Sequence, residues 1–221
     1  MTNYKDILNT CSQSNATLVA VSKTKPVEQI MGLYNEGQRI FGENKVQELV
    51  EKQASMPKDI KWHLIGHLQT NKVKYIAPFV DLIHAVDSIK LLKEINKQAI
   101  KNDRIIDVLI QVKIAKEESK FGVGKEEVNN FFESVQSSDF KNIRIKALMG
   151  MATFTDDLQQ VKGEFDTLKD IFEGLKSSTQ SGNIELSEIS MGMSGDYEIA
   201  LASGSSMVRI GSLLFGARNY K

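Results

Sequence analysis

Lys23 is the residue whose position in the sequence most strongly suggests chemistry. It follows the apolar run Leu18–Val21 and Ser22, so its amine is expected to emerge where a buried strand ends. A partly desolvated lysine there, with Lys25 and Arg209 nearby, is expected to have a lowered amine pKa. Such an amine can form a Schiff base with an aldehyde. The alternative is a lysine that points into solvent from the end of a strand.

Two glycine–serine turns near the C-terminal end of the chain could bind an anion. The first is Gly192–Gly195, which contains Ser194, and the second is Gly211 followed by Ser212. Glycine lets the backbone approach a ligand closely, and the start of a helix attracts negative charge. Tight turns without a ligand would have the same composition. A phosphate site opposite a Schiff-base lysine suggests either pyridoxal phosphate (PLP) or a phosphosugar substrate.

Arg209 helps to separate these two ligands. It lies within the mostly apolar segment Met207–Ile210, where a guanidinium needs a partner. One alternative is a carboxylate elsewhere in the protein, and the other is the pyridine nitrogen of PLP, which Asp or Arg can contact. Because arginine stays protonated, it would keep that nitrogen unprotonated. Such a site would hold PLP well and stabilise carbanions poorly.

The histidines and the cysteine point to no further chemistry. His63, His67 and His84 lack the spacing of metal ligands. His63, beside Trp62, is expected to be a core histidine whose hydrogen bonds are satisfied. The single cysteine, Cys11, excludes an internal disulfide and is expected to be an inert thiol. The sequence contains no nucleophile elbow, Walker motif or Rossmann glycine motif.

Short apolar runs alternate with longer amphipathic segments along the chain. Several runs are apolar almost throughout, as is typical of parallel strands covered on both faces. The predicted strands are Thr17–Ser22, Arg39–Phe41, Lys61–Ile65, Leu82–Val86, Asp107–Val112, Arg144–Met149, Glu188–Met191 and Met207–Ile210. The predicted helices are Tyr4–Cys11, Val27–Gly37, Lys45–Met56, Asn71–Phe79, Ile89–Lys101, Lys125–Val135, Asp157–Leu175 and Asp196–Ala202. This alternation favours an α/β fold, a (β/α)8 TIM barrel with an extra N-terminal helix, with an open doubly wound sheet as the alternative.

The barrel would bring the chemically interesting residues together. In this fold the active site lies at the C-terminal ends of the strands, and the loops after the last two strands often bind phosphate. Lys23 follows the first predicted strand and Asn44 follows the second. Asn44 and Gln47 also have the spacing of a capping box for the helix that follows. Four methionines are expected to fill the core around the strand ends: Met149, Met151, Met191 and Met193.

The composition limits the classes of partner. The 221 residues include 28 basic and 28 acidic side chains, so no net charge attracts nucleic acid or an anionic membrane. No apolar run approaches the roughly 18 residues that span a bilayer, and the N-terminus has no apolar signal core. We therefore expect a cytoplasmic protein with neither nucleic acid nor a membrane as partner. No linker divides the chain, so residues 1–221 are expected to form one domain.

Several segments, in order along the chain, are similar to those of a known family. They are Val19–Pro26, Phe41–Asn44 with Gln47 and Glu48, Trp62–Gly66 with Leu68, Gln69, Asn71 and Lys72, Glu118–Lys120 with Gly122, Leu148–Met151, Met191–Asp196, and Val208–Gly211 with Phe215–Arg218. With these segments the chain resembles the YggS/PROSC family of pyridoxal phosphate homeostasis proteins. The resemblance implies a single-domain barrel like the N-terminal domain of alanine racemase, of PLP fold type III.

The resemblance also implies roles for individual residues. Lys23 would hold PLP as an internal aldimine, and Arg209 would face the pyridine nitrogen. Asn44 would line the cofactor pocket. Three residues would bind the phosphate: Ser194, Gly211 and Ser212. Together with PLP as cofactor, these six residues form the predicted site, and no metal is expected.

The function implied by the resemblance is buffering and delivery of PLP and maintenance of amino-acid balance, without robust turnover. Racemases of this fold take a second base from a C-terminal domain and a partner subunit, and we expect this chain to lack that domain. A PLP-dependent racemase-like enzyme remains an alternative. An aldolase that uses Lys23 without a cofactor is another.

The resemblance also gives expectations about partners. The protein is expected to be a monomer, with PLP-dependent apoenzymes as recipients of its cofactor. Lys25 and Lys120 are expected near the mouth of the site, where a mobile amine could take the cofactor from Lys23. Solvated surface lysines are the alternative for both.

Overall fold

Parallel strands close into a barrel in the structure, a computed structural model that describes residues 4–116, 121–179 and 182–216. The strands are β1 (Thr17–Val21), β2 (Ile40–Glu43), β3 (Lys61–Leu64), β4 (Leu82–Val86), β5 (Ile106–Lys113), β6 (Val123–Gly124), β7 (Ile143–Met149), β8 (Ile184–Met193) and β9 (Met207–Ile210). The hydrogen-bonded order is β1-β2-β3-β4-β5-β7-β8-β9, and β9 pairs with β1. The two-residue strand β6 pairs only with the end of β5, outside this ring. The sheet is therefore closed, and the open-sheet alternative is wrong.

Helices surround the barrel and cover its outer face. They are α1 (Tyr4–Gln13), α2 (Val27–Asn35), α3 (Val46–Ser55), α4 (Val73–Ile76), α5 (Ile89–Lys101), α6 (Val128–Gln136), α7 (Leu158–Ser178), α8 (Tyr197–Ala202) and α9 (Ser212–Phe215). Each longer helix buries one apolar face, as α5 does with Leu91, Leu92 and Ile95. Helices of the described residues are all too short or too polar to cross a bilayer.

The barrel strands are apolar on both faces because each face packs against a different layer. Residues that face the helices belong to the large core between the sheet and the helices. Residues that face the barrel axis form a second, smaller core, and they include Val19, Leu82, Leu109, Ala147 and Met207. This double burial explains the nearly continuous apolar runs in the sequence.

Several local expectations require correction. The predicted helix Asn71–Phe79 is instead a 3-10 turn over Thr70–Lys72 followed by the short helix α4. The predicted capping box is wrong, because the N-cap of α3 is Lys45 and no side chain caps that helix. Asn44 lies one residue earlier and lines a cavity. Strand β6 and helix α9 were not expected from the sequence.

One of the four methionines does not fill the core. Met149 and Met191 are buried, as expected. Met151 is partly buried and packs against the inner core, although it also lines the cavity at the end of the barrel. Met193 lines the same cavity and is 38% exposed, so the prediction of core filling is wrong for this residue.

Candidate functional site

A cavity of about 860 Å³ opens at the C-terminal ends of the barrel strands. This volume is within the range of small-molecule sites in proteins. The cavity wall includes every residue of the site predicted from the sequence: Lys23, Asn44, Ser194, Arg209, Gly211 and Ser212. The structure thus brings together residues from the ends of β1, β2, β8 and β9.

Hydrogen bonds on the side away from the cavity hold the backbone around Lys23 in place. The Ser22 hydroxyl donates to Glu43 Oε1 at 2.6 Å, and Lys52 Nζ donates to the Ser22 carbonyl at 2.8 Å. The next residue, Thr24, adopts φ +64°, and its N–H donates to Glu48 Oε1 at 2.6 Å. A left-handed conformation is costly for a threonine, so these contacts fix the turn. Lys23 therefore leaves β1 at a defined place on the cavity wall.

The contacts behind Lys23 form a buried ion cluster. Lys52 Nζ lies 2.6 Å from Glu43 Oε1 and 2.7 Å from Glu48 Oε1, and the Glu43 side chain is fully buried. Burial raises the pKa of Glu43, while the hydrogen bonds from Lys52 and Ser22 act in the opposite direction. Such a cluster is stable only while every member keeps its partners. It positions the end of β1 and does not itself reach the cavity.

Arg209 is a buried cation at the cavity. It is 4% exposed, and its Nη1 and Nη2 donate to Ser190 Oγ at 2.6 Å and to the Gly150 carbonyl at 3.0 Å. Burial lowers its pKa to about 10, and nearby Asp196 acts in the opposite direction. The guanidinium is therefore protonated at neutral pH. Among the described residues, no carboxylate forms an ion pair with Arg209, so the direct carboxylate partner considered from the sequence is absent there.

The two glycine–serine turns are joined to each other. The N–H of Gly211 donates to Ser194 Oγ at 3.2 Å, which leaves the hydroxyl proton of Ser194 available to an acceptor in the cavity. Gly192 has φ +92°, and a Cβ there would lie 2.6 Å from the Cβ of Ala200. Asp196 Oδ1 accepts from the N–H of Met193 at 2.5 Å. The turns thus form one preformed wall of N–H and hydroxyl groups, suited to an anion.

The mouth of the cavity includes Lys25, as expected. Its amine donates to the carbonyl of Phe215 at 2.9 Å and to that of Gly216 at 3.3 Å, so it links the first strand end to the turn after α9. This contact differs from the mobile amine that was predicted. Lys120 lies outside the described residues, so its predicted place at the mouth stays a prediction.

Sequence reasoning missed part of the cavity wall. The ring of His67 stacks on Phe121 with 4.2 Å between centroids, and His67 Nδ1 lies 3.6 Å from Asp87 Oδ2. The segment 151–156 after β7 forms another side of the cavity, and its Phe154 is 98% exposed. The position of His67 directly after a strand was the available signal. The Phe121 contact could not be predicted, since it depends on how the chain after β5 folds back.

Two histidines lie inside the barrel. His63 and His84 are buried, and His84 Nε2 lies 3.0 Å from His63 Nδ1. Burial lowers the pKa of His84 well below its ordinary value of 6.5, and His63 and Arg209 act in the same direction. The prediction that His63 is a core histidine with a hydrogen-bond partner is confirmed. In the described part of the chain, no cluster of three or more His, Cys, Asp or Glu side chains could hold a metal ion.

The donor set of the cavity matches the chemical groups of PLP. A lysine amine, a buried guanidinium and a wall of N–H and hydroxyl groups suit an aldehyde, a pyridine nitrogen and a phosphate, respectively. The residues present therefore fit PLP.

Comparisons with known proteins agree with this donor set. A family model for the N-terminal domain of alanine racemase matches residues 1–219. The pyridoxal phosphate homeostasis protein of Aquifex aeolicus is 41% identical over 206 residues, which cover 93% of this chain and 88% of that protein. The structure of PipY from Synechococcus elongatus PCC7942 with PLP bound is 33% identical and superposes with a TM-score of 0.84. That match covers 95% of this chain and 98% of PipY.

This chain shares its fold, but little of its sequence, with an enzyme. Alanine racemase from Clostridium difficile 630 superposes with a TM-score of 0.75 at 15% identity, and the match covers 99% of this chain and 61% of the racemase. The two relatives described above at more than 30% identity are a pyridoxal phosphate homeostasis protein and PipY. By its sequence, its barrel and its cavity, the chain belongs to the family of pyridoxal phosphate homeostasis proteins.

Proposed function

We propose that this protein binds PLP in the barrel cavity and acts in PLP homeostasis, buffering the cofactor and delivering it to enzymes that need it. The observation that carries the proposal is the convergence of Lys23, Arg209 and both glycine–serine turns on one cavity. The names of the relatives and the PLP bound in PipY support it. The proposal treats residues 1–221 as one PLP-binding domain.

Each residue would have a separate task in holding the cofactor. Lys23 would hold PLP through its amine, which is the group of this site that reacts with an aldehyde. The hydroxyls of Ser194 and Ser212 would donate to the phosphate, Gly211 would let the phosphate approach the backbone closely, and Arg209 would donate to the pyridine nitrogen. Asn44 would line the pocket beside them. When bound, PLP would supply an electron sink next to the amine that holds it.

Arg209 supports a role in binding rather than catalysis. Its pKa of about 10 keeps the guanidinium protonated at neutral pH, so it donates hydrogen bonds and cannot accept one. The pyridine nitrogen would then stay unprotonated and withdraw electrons weakly. We therefore propose a protein with no robust catalysis of its own. A racemase-like activity is the alternative, and solvent deuterium incorporated into alanine or serine above the buffer rate would favour it.

The proposal also covers the recipients of PLP, the oligomeric state of the protein and its location. Recipients would be PLP-dependent apoenzymes, and the protein would work as a monomer in the cytoplasm, without nucleic acid or membrane as partner. The balanced charge of the chain is consistent with these expectations.

The first experiment is the visible absorption spectrum of the purified protein after addition of PLP. We expect a yellow protein, and we expect Lys23→Ala to lose or shift the visible band. Lys93→Ala, on α5 away from the cavity, is the matched control and should keep the band. A parent protein that stays colourless with PLP, but is trapped by borohydride together with a sugar phosphate, would favour the aldolase alternative.

Delivery needs its own test. The holoprotein is mixed with a PLP-dependent apoenzyme, and the recovery of that enzyme's activity is timed. Release of PLP into buffer is timed separately, with a scavenger that traps free PLP. Transfer faster than free release supports direct delivery, and transfer at the rate of free release contradicts it.

A further inference from the structure

A continuous row of polar side chains crosses the barrel interior from Arg209 to Asp81. Arg209 Nη1 lies 2.6 Å from Ser190 Oγ, and Ser190 Oγ lies 3.4 Å from His84 Nδ1. His84 Nε2 lies 3.0 Å from His63 Nδ1, and His63 Nε2 lies 3.5 Å from Asp81 Oδ2. Arg209 is at the cavity, while Asp81 directly precedes β4 at the opposite end of the barrel.

Arg209 only donates and the Asp81 carboxylate only accepts, so Ser190 Oγ accepts from Arg209 and His63 presents a proton on Nε2 to Asp81. The Ser190 hydroxyl has one proton, and giving it to His84 Nδ1 places the proton of His84 on Nε2, from which it is donated to Nδ1 of His63. The proton of His63 is thereby placed on Nε2, facing Asp81. All donors point the same way, from the arginine toward the carboxylate.

Electrostatics favour the same arrangement. Ser190, His63 and His84 are buried, and a charged His84 would face the buried guanidinium across a single hydroxyl. The hydrogen bond from His63 lowers the pKa of Asp81, although partial burial of the carboxyl acts in the opposite direction. His84 is therefore neutral, and the row has a cation at one end and an anion at the other.

We propose that Ser190, His84, His63 and Asp81 form a polarised positioning chain that holds the Arg209 guanidinium toward the cavity and gives it a remote counter-charge. Asp196 also acts on Arg209 as a nearby carboxylate, whereas Asp81 is reached through three intervening side chains. This proposal deepens the proposed function, and its consequences for PLP rest on that function.

One prerequisite of the positioning chain can be tested without any cofactor. The chain has three histidines, so ¹⁵N-histidine labelling gives three imidazole spin systems. We expect long-range ¹H–¹⁵N spectra at about pH 7 to show His63 and His84 as neutral rings protonated on Nε2. His63→Gln and His84→Gln assign the signals, and His67, at the cavity mouth, serves as the internal reference. An Nδ1-protonated ring or an imidazolium at either position would overturn the proposal, even if PLP binds normally.

A second experiment tests the effect on the site. Ser190→Ala removes the hydroxyl that Arg209 contacts, and Ser203→Ala, another buried serine, is the matched control. We expect Ser190→Ala to weaken PLP binding about tenfold and to shift the visible band, because a hydrogen bond to a charged group is lost. Ser190→Cys, which keeps a weak donor and acceptor, should recover part of the affinity and the band position.

Asp81, at the end of the positioning chain away from the cavity, offers the most specific variant. Asp81→Asn leaves every residue of the cavity in place and removes only the negative charge, so a change in PLP affinity or band position reports coupling across the barrel. Asp59→Asn, which removes a surface carboxylate paired with Arg39, is its control. If the parent binds PLP and both Ser190→Ala and Asp81→Asn bind it like the parent, the positioning role is wrong. If the parent binds no PLP, the proposed function fails, and the tautomer test still decides the arrangement of the chain.

Discussion

Lys52 Nζ lies 2.6 Å from Glu43 Oε1 inside the protein, directly behind the strand end that carries Lys23. The same amine binds the carbonyl of Ser22, so one buried cation joins β1, β2 and α3. A buried ion pair contributes little compared with two apolar side chains of the same shape, but breaking it leaves an uncompensated charge. The main effect of the pair is therefore to position the backbone at the end of β1.

Replacing one partner of this pair should destabilise the fold strongly. We expect Lys52→Met to lower the free energy of unfolding by about 3 to 5 kcal/mol, because Glu43 would remain buried without its cation. Urea denaturation followed by circular dichroism measures the change. Lys58→Met, at an exposed lysine, is the control and should change little. The double variant Lys52→Met with Glu43→Leu should recover much of the loss, and no recovery would show that packing rather than charge was lost.

The alternation of strands and helices, and most strand bounds to within two residues, could be predicted because parallel strands buried on both faces leave nearly continuous apolar runs. Leu82–Val86 and Met207–Ile210 were predicted with the bounds that the structure gives. The position of Lys23 followed from the same pattern, since the fold places the end of β1 at the cavity. Closure of the sheet could not be derived in this way, because it depends on the pairing of β1 with β9.

Long-range side-chain contacts account for what the sequence did not show. His84 and Ser190 are 106 residues apart, and only the barrel brings Ser190 between His84 and Arg209. The capping box failed for a related reason. Asn44 has the right residue type and spacing for a cap, but it directly follows β2 and lines the cavity, and the helix begins one residue later than a cap at Asn44 would require.

Acid should destabilise the protein as the pH falls below the ordinary histidine pKa of 6.5. The pKa of His84 is lowered in the folded state, so the unfolded chain takes up a proton that the folded chain refuses. The stability from this group is present above about pH 6.5 and is lost at lower pH, at up to about 1.4 kcal/mol per pH unit. The lowered pKa of Asp81 acts in a more acidic range, because its ordinary value is 3.8.

Urea denaturation at about pH 7 and about pH 5.5 tests this dependence, since the interval spans the histidine range. His84→Gln should be less stable at both values but should have a flatter dependence on pH. His67→Gln, which changes a half-exposed ring, should keep the slope of the parent protein. An equally steep slope in His84→Gln would assign the dependence to other groups.

Cys11 should be slow to react in the folded protein. The residue is 1% exposed on the inner face of α1, and burial raises its pKa to about 11. Since only the thiolate is an effective nucleophile, we expect a disulfide reagent at about pH 8 to label almost no thiol in the native state. Denaturant should release one reactive thiol per chain. Complete labelling of native protein within the mixing time would show that α1 detaches readily.

Gly66 should be intolerant of any side chain, because of its contact with a site residue. A Cβ at this position would lie 2.4 Å from the carbonyl oxygen of Asn44 and 2.8 Å from its Cα, and this backbone could yield only by moving the cavity wall. We expect Gly66→Ala to destabilise the protein by about 1 to 3 kcal/mol and to weaken PLP binding. Gly163→Ala, on α7 with open space around it, should instead stabilise by about 0.5 to 1 kcal/mol, because glycine disfavours a helix interior. Thermal unfolding with and without PLP separates the two effects, and a Gly66→Ala variant with parental stability and affinity would contradict the tight contact.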